Sequence, residues 1–406
     1  MAGSRAVIIG GSMSGLLSAL MLRRAGWTVD IYERVESELS GRGAGIVAQQ
    51  ELIERLRKLG LATDALGVHI TTRKILDAQG QLTEEIHCPQ VLTAWERVYR
   101  LLRDAFPPER YDRGRGLVGY EPGAISVLAR FSDGETIEAD LLVGADGTRS
   151  TVRQQALPSA VPLYAGYCAW RAMIAESAIP RDTHRDLFEY MTFTLPPGEQ
   201  LLGYPVAGPD NDLRTGHRRY NVVWYRPADE KTKLQWLLTD ERGTTHAISI
   251  PPPLIRREAI VEMRAAAERL AGPQFRQIVR LIEEPILQPI YDLESPRMAF
   301  GRVAILGDAA FVARPHVAAG VFQGGGRRRR AGGGACGRAH RAGGAQALRG
   351  GAVARELPHH RTGAPSRRLF AGDANAGRAG ARRAAQHRRR GDRGNRGVGF
   401  FARLAG

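Results

Sequence analysis

Cysteine is scarce in this chain: Cys88, Cys168 and Cys336 are its only three in 406 residues. They are scattered and show no CxxC spacing, so neither a disulfide framework nor a zinc site is expected. No apolar run reaches the roughly 18 residues of a membrane span. The first apolar stretch, Ala6-Val7-Ile8-Ile9, is too short for a secretory leader. These absences point to a soluble, cytoplasmic protein with no metal and no membrane partner. Residues 322–406 lack far more: they contain no Lys, Ile, Tyr, Trp or Met, and only three acids, Glu356, Asp373 and Asp392.

The formal charge is +16, which ordinarily suggests nucleic acid or an acidic surface as partner. Its distribution argues otherwise. Residues 322–406 hold 20 Arg and carry +17, leaving −1 on residues 1–321. Gly, Ala and Arg fill 58 of those 85 tail positions without an apolar period, a composition that cannot offset its ordering entropy. The tail is expected to be disordered. One reading makes it a basic nucleic-acid arm. The preferred one is a frame shift in GC-rich coding DNA, since one back-translation from Phe322, read one base on, gives the helix-forming Ser-Lys-Ala-Ala-Gly-Asp-Ala-Val-Ala-Leu-Ala. Nucleic acid is therefore not the expected partner.

Residues 1–321 read as an α/β protein. A short strand, a helix over residues 14–25 ended by Gly26, and a second strand at Val29-Asp30-Ile31-Tyr32-Glu33 form a β-α-β unit. Asp133-Gly134 marks a hairpin between two further strands. The stretch from 164 to 293 alternates aromatic and β-branched residues, which suits a mainly antiparallel sheet, interrupted by a helix over 256–269. The α/β texture returns at Val303-Ala304-Ile305-Leu306. The expected fold is a discontinuous Rossmann-like domain (1–163 and 296–321) with an inserted sheet domain (164–295) and an irregular Arg/Gly/Ala-rich tail (322–406).

Gly10-Gly11-Ser12-Met13-Ser14-Gly15 lies between the first strand and helix, where glycines let the backbone approach a pyrophosphate on the helix N-terminus. Ser12 replaces the usual second Gly of GxGxxG. Glu33 ends the second strand, placed to accept hydrogen bonds from a ribose. Gly144-Ala145-Asp146-Gly147 follows one later strand and Gly307-Asp308 another. In this order and spacing, the three segments resemble the single-component FAD-dependent aromatic hydroxylases. Gly43-Ala44-Gly45-Ile46, Gly166-Tyr167-Cys168-Ala169-Trp170-Arg171, Tyr220-Asn221-Val222-Val223-Trp224-Tyr225 and the stretch from Asp308 through Arg314-Pro315-His316 resemble the 2,6-dihydroxypyridine 3-hydroxylase branch, which belongs to nicotine breakdown.

The resemblance implies a monooxygenase that hydroxylates an electron-rich ring through a flavin C4a-hydroperoxide, with bound FAD, O2 and NADH or NADPH as co-substrate. It places Gly10, Gly11, Ser12, Met13, Ser14, Gly15, Glu33, Arg34, Arg42, Gly45, Val118, Asp146, Gly147, Asp308 and Pro315 at the FAD. It puts Gln49, Tyr204, Tyr225 and His316 near the flavin or in the sheet domain, as candidate catalytic or substrate contacts. Val47 stands where related pyridine hydroxylases carry a His, so no base carries over there. Arg171 is read as pairing with a core carboxylate, with binding of a substrate oxyanion as the alternative, and Trp170 and Trp224 are read as core. An NAD-dependent dehydrogenase, another non-hydroxylating flavin oxidoreductase and a nucleic-acid binder acting through the tail are the alternatives; a homodimer stays open.

Overall fold

Val7, Ile8 and Ile9 form an unbroken apolar run, the pattern of a strand covered on both faces. They lie in strand β1 (Arg5–Ile9), where Ala6, Val7 and Ile8 have no exposed surface. Helix α1 (Met13–Arg24) buries Leu16, Ala19 and Leu22, and β2 (Thr28–Glu33) returns parallel to β1. In this computed structural model residues 4–39 and 44–315 are described. The expectations for Arg42, His316 and residues 322–406 lie outside them.

β1 and β2 belong to a six-stranded sheet ordered Ala299–Phe300, Val303–Ile305, Leu141–Gly144, β1, β2, Tyr111–Arg113. All its pairs are parallel except the first. Helices α1 and Trp95–Asp104 cover one face through Leu16, Leu22, Val98 and Leu102. The other face carries a three-stranded antiparallel sheet (Leu117–Pro122, Val127–Phe131, Thr136–Ala139) through Leu117, Val127 and Phe131. The last two of its strands flank the Asp133-Gly134 turn, as the sequence predicts.

A nine-stranded sheet makes the other half of the molecule. Its centre is Leu163–Ala175, Arg219–Pro227, Gln200–Val206 and Met191–Thr194, joined antiparallel, with Ile286–Glu294 outside them. The sheet is not confined to residues 164–295. Gly45–Ala48, Val68–Leu76 and Leu82–Ala94 extend it from the first segment, and Phe311–Val312 from the last. Val68–Leu76 joins by a parallel pairing with Met191–Thr194. Much of Leu82–Ala94 is polar and exposed, which masks its strand character in the sequence.

Successive side chains along a strand take opposite faces. Trp170, Ala172, Val222 and Trp224 therefore pack under helices Arg257–Leu270 and Pro273–Arg280, which confirms Trp170 and Trp224 as core. Tyr167, Ala169, Leu202, Tyr204, Val223 and Tyr225 occupy the opposite face. No helix among the described residues is long and apolar enough to cross a membrane.

Candidate functional site

β1, Leu141–Gly144 and Val303–Ile305 lie side by side in register, Ile9 opposite Gly144 and Gly144 opposite Ile305. All three motif segments consequently leave from the same edge, the carboxyl ends of adjacent parallel strands, where open α/β sheets bind ligands. Gly10 turns the chain with φ +103°, and a Cβ there would overlap the Ala145 carbonyl oxygen. A Cβ on Gly15 would overlap the Gly10 carbonyl oxygen, so the helix can start this close to the strand only with glycine. Ser12 caps α1 in extended backbone geometry without spending its hydroxyl on a capping bond.

A cavity of about 680 Å3 opens from this edge and reaches the apolar face of the nine-stranded sheet. Its wall on the parallel-sheet side includes Gly10, Ser12, Met13, Ser14, Glu33, Arg34, Asp146, Gly147, Asp308 and Pro315. Gly45, Tyr204 and Tyr225 line the opposite wall. Gly11 and Gly15 shape the turn without lining the cavity. Val118 is exposed and Gln49 precedes helix Gln50–Lys58; neither belongs to the lining.

The acids at this end are held differently. Glu33 accepts the Gly11 N–H at 2.8 Å through Oε2 and the Val35 N–H at 2.9 Å through Oε1. Asp146 accepts the Thr151 N–H at 2.7 Å through Oδ2, whereas its buried Oδ1 makes no hydrogen bond among the described residues. Burial raises its pKa against the pull of Ser150 and the local amides. Asp308 reaches the solvent filling the cavity, yet the protein crowded around it pushes its carboxyl up to about 6.

Arg153 explains why the second motif continues as far as it does. Buried completely, it donates to the carbonyls of Thr148 (2.6 Å), Ala160 (3.0 Å) and Ala309 (3.0 Å), tying the Asp146 segment to the Asp308 segment.

The sheet wall carries residues that the sequence did not single out. Arg73 is 9 % exposed, donates Nε to Gln90 at 2.8 Å and lies over the Phe193 ring. Arg171 also lines the cavity, hydrogen-bonds Tyr225, and leaves its buried Nε without a partner. Arg218, Arg226 and Arg314 in the same half are each paired with a carboxylate; Arg73 and Arg171 form no ion pair among the described residues. That removes the core-carboxylate reading of Arg171. Burial lowers the Arg73 pKa, and it raises those of Tyr204 and Tyr225 against the opposing pull of Arg171. Gln200, Gln288 and Tyr291 complete the polar lining. Arg73 belongs to a strand that carries no motif, and only the register of that strand brings it here.

These residues suit FAD. Ser12, Met13 and Ser14 border the cavity at the start of α1, Asp146 Oδ1 is unspent, Ser12 keeps its hydroxyl, and the volume lies within the roughly 300–1,000 Å3 of ligand pockets.

Known proteins bear on this arrangement. A family model described as FAD binding domain-like matches residues 164–292. The chain is 36 % identical over 317 residues to the 2,6-dihydroxypyridine 3-monooxygenase of Paenarthrobacter nicotinovorans, covering 78 % of this chain and 79 % of that protein. It is 29 % identical to the 3-amino-4-hydroxybenzoate 2-monooxygenase of Streptomyces cremeus, over 79 % and 75 % of the two chains. The solved structure of 2,6-dihydroxypyridine-3-hydroxylase from Arthrobacter nicotinovorans superimposes with TM-score 0.74 at 35 % identity, covering 79 % of this chain and 80 % of that one.

Proposed function

Because the chain belongs to the FAD-dependent aromatic monooxygenases, we propose that its substrate is a hydroxylated pyridine of the 2,6-dihydroxypyridine type, bound as an anion. Of the described residues, those of the two segments 1–163 and 296–315 supply most of the cofactor wall, and residues 164–295 most of the substrate wall. A cytoplasmic setting suits a reaction that consumes NADH or NADPH.

Bound FAD, reduced by the nicotinamide, supplies the activation of dioxygen. The remaining work falls to this chain. The amides at Ser12, Met13 and Ser14 would receive the pyrophosphate at the start of α1. Glu33 would take the ribose, Asp308 the ribityl chain, and Asp146 the flavin together with the incoming nicotinamide.

The observation that carries the substrate reading is the pair of guanidiniums, Arg73 and Arg171, that have no carboxylate partner among the described residues and share one cavity with Tyr204 and Tyr225. A buried charge without a counter-ion is costly, so an anionic ligand is favoured at this wall. The raised pKa values of Tyr204 and Tyr225 keep both phenols protonated at neutral pH. They act there as hydrogen-bond donors to ring oxygens and not as bases. A ring already activated by two oxygens needs little more than to be held anionic and kept from water. Met191, Phe193, Leu202, Val223 and Ile290 supply the apolar surface that excludes it.

The test uses the full chain loaded with FAD. NADH or NADPH oxidation should accelerate when 2,6-dihydroxypyridine is added, with one atom from labelled O2 in each product molecule. Turnover without oxygen on an artificial acceptor, leaving no label in the product, would assign the chain to the dehydrogenases instead.

A further inference from the structure

The second glycine of the nucleotide loop faces away from the cavity, and a tyrosine stands behind it. A Cβ on Gly11 would overlap the Tyr111 hydroxyl and ring. Tyr111 donates that hydroxyl to the Gly11 carbonyl at 2.9 Å, and the N–H of Gly11 is taken by Glu33 at 2.8 Å. The preceding N–H, that of Gly10, is bonded to the Tyr32 carbonyl at 2.8 Å. The turn thus has its inward-facing groups tied down, while Ser12, Met13 and Ser14 beyond it border the cavity.

Tyr111 is itself braced. It is 6 % exposed and sits on the three-residue edge strand Tyr111–Arg113, paired with Ile31 of β2. The Arg103 guanidinium covers its ring at 4.3 Å. The Tyr99 hydroxyl stands 3.5 Å from its own and donates to Glu38. A short edge strand contributes little sheet pairing, but it places this one hydroxyl under the loop.

We propose that Tyr111 is a positioning residue for the nucleotide site. Its hydroxyl and the Glu33 carboxylate clamp the two ends of the Gly11 unit, so that the loop presents its amides to a pyrophosphate without having to be ordered by it. On this account Gly11 is glycine because Tyr111 occupies its side-chain space, not because the cofactor approaches there. Preorganised donors bind more tightly since less ordering is lost on binding.

The measurement is the affinity of the flavin-stripped full chain for FAD and, separately, for ADP, which reads the loop without the isoalloxazine ring. Tyr111→Phe keeps the ring and its packing and removes only the hydroxyl. Both dissociation constants should rise about tenfold, with the melting temperature of the stripped protein nearly unchanged. Dissociation constants within twofold of native, in a folded protein, would overturn the proposal; so would a lowered melting temperature with unchanged ADP affinity, which is what a purely structural tyrosine gives. Should Tyr111→Phe not fold, Arg103→Met removes the guanidinium that covers the Tyr111 ring and leaves the tyrosine itself in place. It should weaken ADP about threefold, and unchanged binding there overturns the clamp equally.

Discussion

The two walls of the cavity are unlike in both charge and origin. The parallel-sheet wall carries the carboxylates Glu33, Asp146 and Asp308, with Arg34 beside them, beyond the carboxyl ends of three strands of one sheet. The nine-stranded wall carries Arg73 and Arg171, cations with no ion pair among the described residues, among aromatic and aliphatic side chains. The acids are suited to hydroxyl donors and the cations to an anion, so one cavity is divided between a dinucleotide and a ring. The walls also differ in how they are built. Each cofactor segment is a run of consecutive residues leaving one strand, whereas the substrate wall is assembled from single residues on strands far apart in sequence.

The comparison can be broken most severely at the glycine turn. Gly10→Ala puts a side chain at φ +103° and against Ala145. Roughly thousandfold weaker FAD binding is expected, read as colourless purified protein, because strain and overlap fall on the same peptide. Arg171→Met attacks the other wall. It should retain FAD fully and weaken binding of 2,6-dihydroxypyridine about 100-fold, from a loss of roughly 3 kcal/mol, as followed by perturbation of the flavin spectrum. Loss of flavin in that variant would mean that the walls are not separate.

A smaller effect should appear as a pH dependence. The Asp308 carboxyl is raised to about 6 in the flavin-free fold, above its unfolded value of about 3.9. The fold therefore holds the proton more firmly than the unfolded chain does. Its contribution is fully present below about pH 4 and is lost as pH rises through about 6. Because the group reaches cavity water, the lost stability is about 1 kcal/mol, well under what the shift would give in a dry site. Asp308→Asn should flatten this part of the pH–stability curve of the stripped protein. The smallest effect belongs to Gln49→Ala: Gln49 lies outside the lining, and kcat/KM should stay within about twofold of native.

The difference in construction explains what could be read from the sequence. The Gly10 to Gly15 loop, Glu33, the Asp146 and Asp308 segments and the strands that carry them were legible, because a strand, its turn and the next helix are contiguous. Tyr204 and Tyr225 were found, but by resemblance, and both line the cavity. Arg73 was missed because its face depends on the parallel pairing with residues 191–194, more than a hundred positions away. Arg171 was noticed but assigned to a core carboxylate, since only the structure shows that no carboxylate among the described residues pairs with it. Resemblance also brought in Gln49 and Val118, which the folded chain leaves outside the cavity lining. Nothing local in the sequence pairs Tyr111 with Gly11; the order of the parallel strands does.

The most direct measurement is a crystal structure of the full chain with FAD and 2,6-dihydroxypyridine bound. The account predicts the pyrophosphate at Ser12 to Ser14, and the pyridine against the nine-stranded sheet with a ring oxygen within hydrogen-bond distance of Arg171 and Tyr225. A pyridine seated away from both side chains, or a pyrophosphate away from the α1 N-terminus, would contradict the division of the cavity between its two walls.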